Sequence, residues 1–124
     1  MQSDILDDLV SLPAGYAVLD SLPYPIIIID NNNFQQTGSN DSIMSLGDLS
    51  AKWKSFNWDV KEINGHSYEE ILQSLDENLT NLPRAIIAKT IKGKGVSFFE
   101  NNNSWHHAVV TKKIYEEAIL EIEK

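Results

Sequence analysis

Four short stretches carry side chains able to do chemistry. Asp30-Asn31-Asn32-Asn33 sets one carboxylate and three amides in succession behind an apolar run. Such oxygens suit a hard cation such as Mg²⁺, which favours near-octahedral oxygen coordination and shares its shell with phosphate oxygens. The same residue types also make an Asx-rich turn that satisfies its own backbone. Lys92-Gly93-Lys94-Gly95 offers backbone N–H groups and two cations to an anion, without the spacing of the nucleotide-binding glycine motifs. Trp105-His106-His107 supplies imidazoles, which act as acid, base or donor to phosphate near neutral pH; the alternative is surface histidines beside a buried Trp. Adjacent side chains on an extended segment point to opposite sides, which places at most one of these histidines in a given pocket and argues against a metal pair. His66, in the Asn64-Gly65 turn, reads as an exposed turn residue. Glu69-Glu70 and Glu116-Glu117 read as solvated helix faces, and no nucleophile stands beside a base.

The elements that must position these groups follow from the apolar pattern. Ile5, Leu6, Leu9 and Val10 fall at helical spacing until Pro13, and Tyr16, Leu19 and Leu22 continue the stripe. Ile26 to Ile29 form a β-branched run without alternation, which predicts a strand covered on both faces. Residues 30–45 show neither period and read as a long loop. Leu49, Trp53 and Phe56 predict a short helix over 48–56 with Asp48 as its N-cap. Trp58 to Ile63 reads as a second strand, and Ser67-x-x-Glu70 as a capping box opening a helix whose Tyr68, Ile71, Leu72 and Leu75 share a face. Ala85 to Thr90 reads as a third strand, followed by a short Val96-Ser97-Phe98-Phe99 run. A last helix is predicted over 111–123. Strand, helix, strand, helix, strand is the pattern of crossover units in a parallel sheet, so the fold class is α/β with a small sheet of three strands and flanking helices. Segments 30–45 and 91–106 both follow strands, which places them at the same sheet edge, where open parallel sheets bind ligands.

Composition narrows the function classes. The 124 residues fit one domain, read as 1–124 without internal repeat or linker. With 10 basic and 18 acidic side chains the net charge is −8, which argues against general nucleic-acid binding. No cysteine is present, so disulfides, thiolate metal sites and Cys nucleophiles are excluded. The longest apolar run falls far short of the roughly 20 residues that span a bilayer. With no basic, apolar signal sequence at Met1, a cytoplasmic location is expected.

Taken together, the fragments resemble the thiamine-diphosphate-binding half of transketolase. Asp30 to Gly38 (DNNNFQQTG) is similar to the family's metal-binding loop, and Leu49 to Trp58 (LSAKWKSFNW) to the helix that follows it. Ile63-Asn64-Gly65-His66, then Ile87 to Asn101 (IAKTIKGKGVSFFEN), then Trp105-His106-His107 keep the family's order and spacing. The match covers residues 14–124 and looks most like the N-terminal subunits of split bacterial and archaeal transketolases. The resemblance implies a partial Rossmann-like domain that binds thiamine diphosphate through a divalent cation, Mg²⁺ or in its place Ca²⁺ or Mn²⁺. It implies Asn32 (side-chain oxygen) and Phe34 (backbone carbonyl) as metal ligands, Gln36 beside the thiazolium ring, and Lys92 lining the cofactor site. His106 is implied as a cofactor-binding and catalytic histidine near the diphosphate and the reacting carbons.

The departures from the family define further expectations. A Gly-Asp-Gly-Glu motif, whose Asp is the third protein ligand to the cation, precedes this region in the family, whereas here the equivalent stretch reads Met1-Gln2-Ser3-Asp4. The glutamate that activates the aminopyrimidine comes, in the family, from another domain. The chain is therefore expected to be inactive alone and to act as a small subunit or fragment of a transketolase in two-carbon ketol transfer between sugar phosphates. Its expected partners are a pyrimidine-binding subunit, the upstream half of its own domain, or both. The alternative is a non-catalytic transketolase-like remnant serving as an interaction module.

Overall fold

The β-branched residues Ile26 to Ile29 do form a strand buried on both faces. The structure is a computed structural model that describes residues 25–76 and 81–124. Along the chain the elements are β1 (Ile26–Asn31), β2 (Phe34–Gln35), β3 (Gly38–Ser39), α1 (Asn40–Ile43), α2 (Leu49–Ser55), β4 (Asp59–Asn64), α3 (Tyr68–Asp76) and β5 (Arg84–Lys89). A 3₁₀ turn (Asn103–His107) and α4 (Lys112–Ile122) complete them. The helix expected near residues 4–12 and the stripe through Leu22 lie outside the described residues. The described chain divides into two compact units, one of residues 25–31 and 48–89, the other of 32–47 and 90–124.

The first unit is a three-stranded parallel sheet in the order β1-β5-β4. On one face Ile26, Ile63, Ile86 and Ala88 are packed by Ile71 and Leu75 of α3; on the other, Ile27, Ile29 and Ile87 are packed by Leu49 and Trp53 of α2, with Trp58 and Val60. Fully burying an aliphatic side chain of this size contributes about 2 kcal/mol, so this double-sided core is what holds the unit together. Asp48 caps α2 by accepting the Ala51 N–H at 2.8 Å, as its position before the apolar stripe predicts. Ser67 likewise accepts the Glu70 N–H at 3.2 Å, but the capping box closes differently from expectation. The Glu70 carboxylate reaches past Ser67 to the Asn64 N–H at 2.7 Å, so it fastens the end of β4 to the start of α3. Gly65, just beyond β4, donates to the Lys89 carbonyl at 2.8 Å and extends the pairing with β5 by one bond.

Central β5 begins with a charged residue. Arg84 is 2% exposed, and a buried guanidinium is tolerated only when its charge and donors are met. Its Nη2 lies 2.6 Å and its Nε 2.7 Å from Asp59 Oδ2, while Nη1 donates to the Ser74 carbonyl at 2.7 Å. One side chain thus joins β5, β4 and α3. Asn31 and Lys89 stand side by side in the register, so the chain leaves the sheet twice at the same edge, as the order of segments predicts.

Residues 30–45 are not the structureless loop expected: Asp30 and Asn31 end β1, and the rest belongs to the second unit. Phe34-Gln35 pairs antiparallel with Gly38-Ser39 as a two-stranded hairpin, and Ser39 then caps α1. Periodicity misses elements this short, because two residues on a strand show no alternation. At Gly38 an added Cβ would lie 2.9 Å from Ser42 Oγ and 3.2 Å from Ile43, so the hairpin and α1 approach each other only through a glycine. After Val96 the short run continues as turn through Ser97, Phe98 and Phe99. Ser97 is tied to α4 there, its N–H and hydroxyl both donating to the Glu121 carboxylate.

Candidate functional site

Gln36, Thr37, Asn103, Ser104, His106 and His107 line an open cleft of about 320 Å³ in the second unit. Its first wall is the hairpin turn. Asn32 Oδ1 accepts the Phe34 N–H at 2.9 Å, an Asx turn that starts β2, and Asn33 adopts φ 66°, a left-handed conformation that Asn tolerates better than most residues. The Asn33 carbonyl accepts the Asn40 N–H at 2.9 Å, which fixes the far end of the hairpin. Gln36, at φ 29°, connects the paired residues with Thr37.

The second wall is the 3₁₀ turn. Asn102 is its cap, accepting the Ser104 N–H at 3.1 Å, and Asn102 Nδ2 and Trp105 Nε1 both donate to the Phe98 carbonyl. The Trp105 ring meets Phe99 edge-on at 4.5 Å between centroids, so an aromatic cluster backs the turn. Asn103 Nδ2 donates to the Gln36 carbonyl at 2.9 Å and joins the two walls.

This geometry corrects one expectation. His106 and His107 both line the cleft, their rings 4.5 Å apart and nearly perpendicular. The reason is local: in a 3₁₀ helix successive side chains turn by about 120° rather than the 180° of a strand, so neighbours can share a side. The signal was available in Asn102, a capping residue type placed ahead of the Ser-Trp-His-His run. Asn103, Thr37 and Ser104 are cleft residues that no sequence motif singled out.

The candidate residues are distributed as follows. Gln36 and His106 come together at the cleft, both exposed; Asn32 and Phe34 are half-buried in the hairpin that leads to it. Lys92 is half-buried and is not among the lining residues. Its carbonyl accepts the Asn101 N–H at 2.9 Å and closes the loop over 92–101. Asp30 is exposed at the end of β1, and His66 is exposed in its turn, as expected.

Two of the four amides in the Lys92 to Gly95 loop, those of Lys94 and Gly95, are taken up within the chain. The N–H groups of Lys94 and Val96 donate to the carbonyls of Ile91 and Gly93, and the Gly95 N–H donates to Glu100 Oε1 at 3.0 Å. Gly93, at φ 73°, has no room for a side chain, because a Cβ would lie 2.5 Å from the Phe99 carbonyl oxygen.

Among the described residues no three His, Cys, Asp or Glu side chains gather as a metal-holding group. The available donors are neutral oxygens, which suit a hard cation that receives its negative charge from phosphate oxygens. Asn32 Oδ1 and the Phe34 backbone are brought together by the Asx turn, and a carbonyl oxygen that accepts one hydrogen bond keeps a second lone pair. The donor set therefore fits part of a cation's shell. No described helix is long and apolar enough to cross a membrane.

A parallel sheet with helices on both faces, together with a unit built from the segments that leave its edge, defines a partial α/β Rossmann-like domain. Residues 3–118 match the family model for the transketolase thiamine diphosphate binding domain. The chain belongs to the transketolase family, as part of its N-terminal thiamine-diphosphate-binding domain. It is 42% identical over 106 residues to one of the subunits of the apulose-4-phosphate transketolase of Phocaeicola vulgatus, covering 84% of this chain and 37% of that protein. It is 35% identical over 113 residues to the 6-deoxy-6-sulfo-D-fructose transketolase subunit SqwG of a Clostridium species, covering 90% of this chain and 40% of that protein. The crystal structure of transketolase from Campylobacter jejuni superposes with a TM-score of 0.71 at 28% identity, over 79% of this chain and 16% of that one. The chain thus spans about two fifths of the length of the two bacterial relatives.

Proposed function

We propose that this chain forms one partial domain supplying the diphosphate and metal side of a thiamine diphosphate site, in a transketolase that moves a two-carbon ketol unit between sugar phosphates. The observation that carries the reading is the meeting of Gln36 with His106, from segments far apart in sequence, at one cleft. When bound, the cofactor's thiazolium supplies the carbanion sink. Asn32 Oδ1 and the Phe34 carbonyl would hold the cation, Mg²⁺, Ca²⁺ or Mn²⁺, which would supply positive charge for the diphosphate. Gln36 would sit beside the thiazolium, Lys92 would lend positive charge, and His106 would donate a hydrogen bond to negative charge developing on the sugar. The aminopyrimidine side belongs to a partner, and two relatives whose names make them transketolase subunits support a divided enzyme. Cytoplasmic sugar phosphates are the expected substrates.

Titration of the full chain with thiamine diphosphate, read through tryptophan fluorescence with and without Mg²⁺, tests this. Trp105, next to His106, is the reporter. Saturable, cation-dependent quenching that Asn32→Ala abolishes is expected. No response at millimolar cofactor overturns the claim that this half of the site binds by itself.

A further inference from the structure

We propose that Asn103 is a positioning residue, whose side-chain amide holds the turn bearing His106 and His107 against the Gln36 carbonyl and so sets the geometry of the cleft. Three observations converge on it. Asn103 Nδ2 donates to the Gln36 carbonyl at 2.9 Å, across 67 residues of sequence. That carbonyl belongs to the connection between Gln35 and Gly38, outside the β2–β3 pairing, so it takes its donor from elsewhere. Finally, Asn103 opens the same five-residue 3₁₀ turn that ends in His107, and Asn102 and Trp105 fasten that turn to Phe98. A tether at residue 103 is therefore transmitted to both imidazoles.

The chemistry of the position selects an amide. Asn103 Oδ1 is buried with no hydrogen-bond donor among the described residues, while Nδ2 faces a carbonyl. A carboxylate in this place would bury charge without a donor and set two acceptors against each other. Only the purpose of the cleft rests on the proposed cofactor reading; the tether does not.

The test compares the full-length wild-type chain with Asn103→Asp and Asn103→His, each checked for folding by thermal melting. Imidazole Nδ1–H sits as many bonds from Cα as the amide Nδ2, so Asn103→His keeps a donor in place. NMR follows the Gln36 carbonyl and the His106 and His107 ring resonances, and thiamine diphosphate binding is measured alongside. At pH 7, Asn103→Asp is expected to shift all three sets of resonances and weaken binding about tenfold, the scale of one lost hydrogen bond. Asn103→His should stay close to wild type. On acidification the carboxyl protonates and donates again, at a pH that burial without a donor raises above that of an ordinary carboxyl, and the Asn103→Asp resonances should then move back toward wild type at the same pH. Unchanged resonances at pH 7, or equal losses in both variants without recovery in acid, overturn the inference. If the resonances behave as expected but the wild-type chain binds no cofactor, the proposed function falls and the positioning role stands.

Discussion

In the sheet unit, six isoleucines from three parallel strands are buried between helices on two faces, whereas among the described residues of the second unit the buried apolar side chains are Val96 and Ala118. The second unit relies instead on directed bonds: Asn32 to Phe34, Asn102 to Ser104, Asn103 to Gln36, and Ser97 to Glu121. Apolar burial is non-directional and supplies stability in bulk, while a hydrogen bond supplies little net energy but fixes an angle and a distance. Every candidate site residue, Asn32, Phe34, Gln36, Lys92 and His106, lies in the unit whose geometry is set bond by bond. A site assembled this way can be precise while its surroundings open at low cost, the regime in which local unfolding is expected.

The contrast can be broken hardest in the sheet. Arg84→Ala leaves the Asp59 carboxylate without its partner and removes the clasp on α3, an expected loss of about 3 kcal/mol or more in chemical denaturation. Ile86→Ala, at the centre of the core, should cost about 3 kcal/mol by the same measurement. In the second unit, Gly93→Ala forces a Cβ against the Phe99 carbonyl at a positive φ and should cost about 2 kcal/mol, with shifts in amide resonances confined to 90–107. A global loss equal to that of Ile86→Ala would show that the two units unfold together and would end the comparison. Asp48→Ala removes one helix cap from the sheet unit, with an expected loss of about 1 kcal/mol in thermal melting.

The smallest effect is a pH dependence in the second unit. The Ser97 backbone N–H, and then its hydroxyl, hold the Glu121 carboxyl below its ordinary value. A depressed carboxylate contributes stability above its unfolded pKa, about 4.3, and loses that contribution as pH falls through the lower, folded value. The protection of the Ser97 amide against exchange, taken relative to its intrinsic rate at each pH, should therefore fall as the solution is acidified below about pH 4, with the protection of β5 amides unchanged. An equal fall in protection in β5 would count against a local origin.

Sequence reading succeeded and failed along the same divide. The strands at Ile26, Trp58 and Ala85 and the helices at Leu49, Tyr68 and Lys112 were legible to within a residue or two, because one-sided burial imposes a period on helices and two-sided burial an unbroken apolar run on strands. The hairpin inside 30–45 was not legible, since its two-residue strands are set by an Asx turn, two positive-φ residues and Gly38 rather than by any repeat. The sharing of a cleft by His106 and His107 was missed for a related reason. Their direction depends on whether the segment is extended or 3₁₀, and a single Asn102 cap decides it. Asn103 left no pattern at all, because its partner Gln36 is remote in sequence.

The bond from the Gly65 N–H to the Lys89 carbonyl bears on a chemical weak point, the Asn64-Gly65 pair. An Asn-Gly pair in a flexible turn is chemically perishable, since the glycine nitrogen attacks the asparagine amide carbon, closes a succinimide with release of ammonia, and opens with water to aspartate or isoaspartate. Here that nitrogen is committed to the sheet, and Asn64 Oδ1 accepts the His66 N–H at 3.0 Å. The shelf life of the Asn64-Gly65 bond is thereby coupled to the integrity of β4 and β5: isoaspartate should accumulate there only as fast as the edge of the sheet frays.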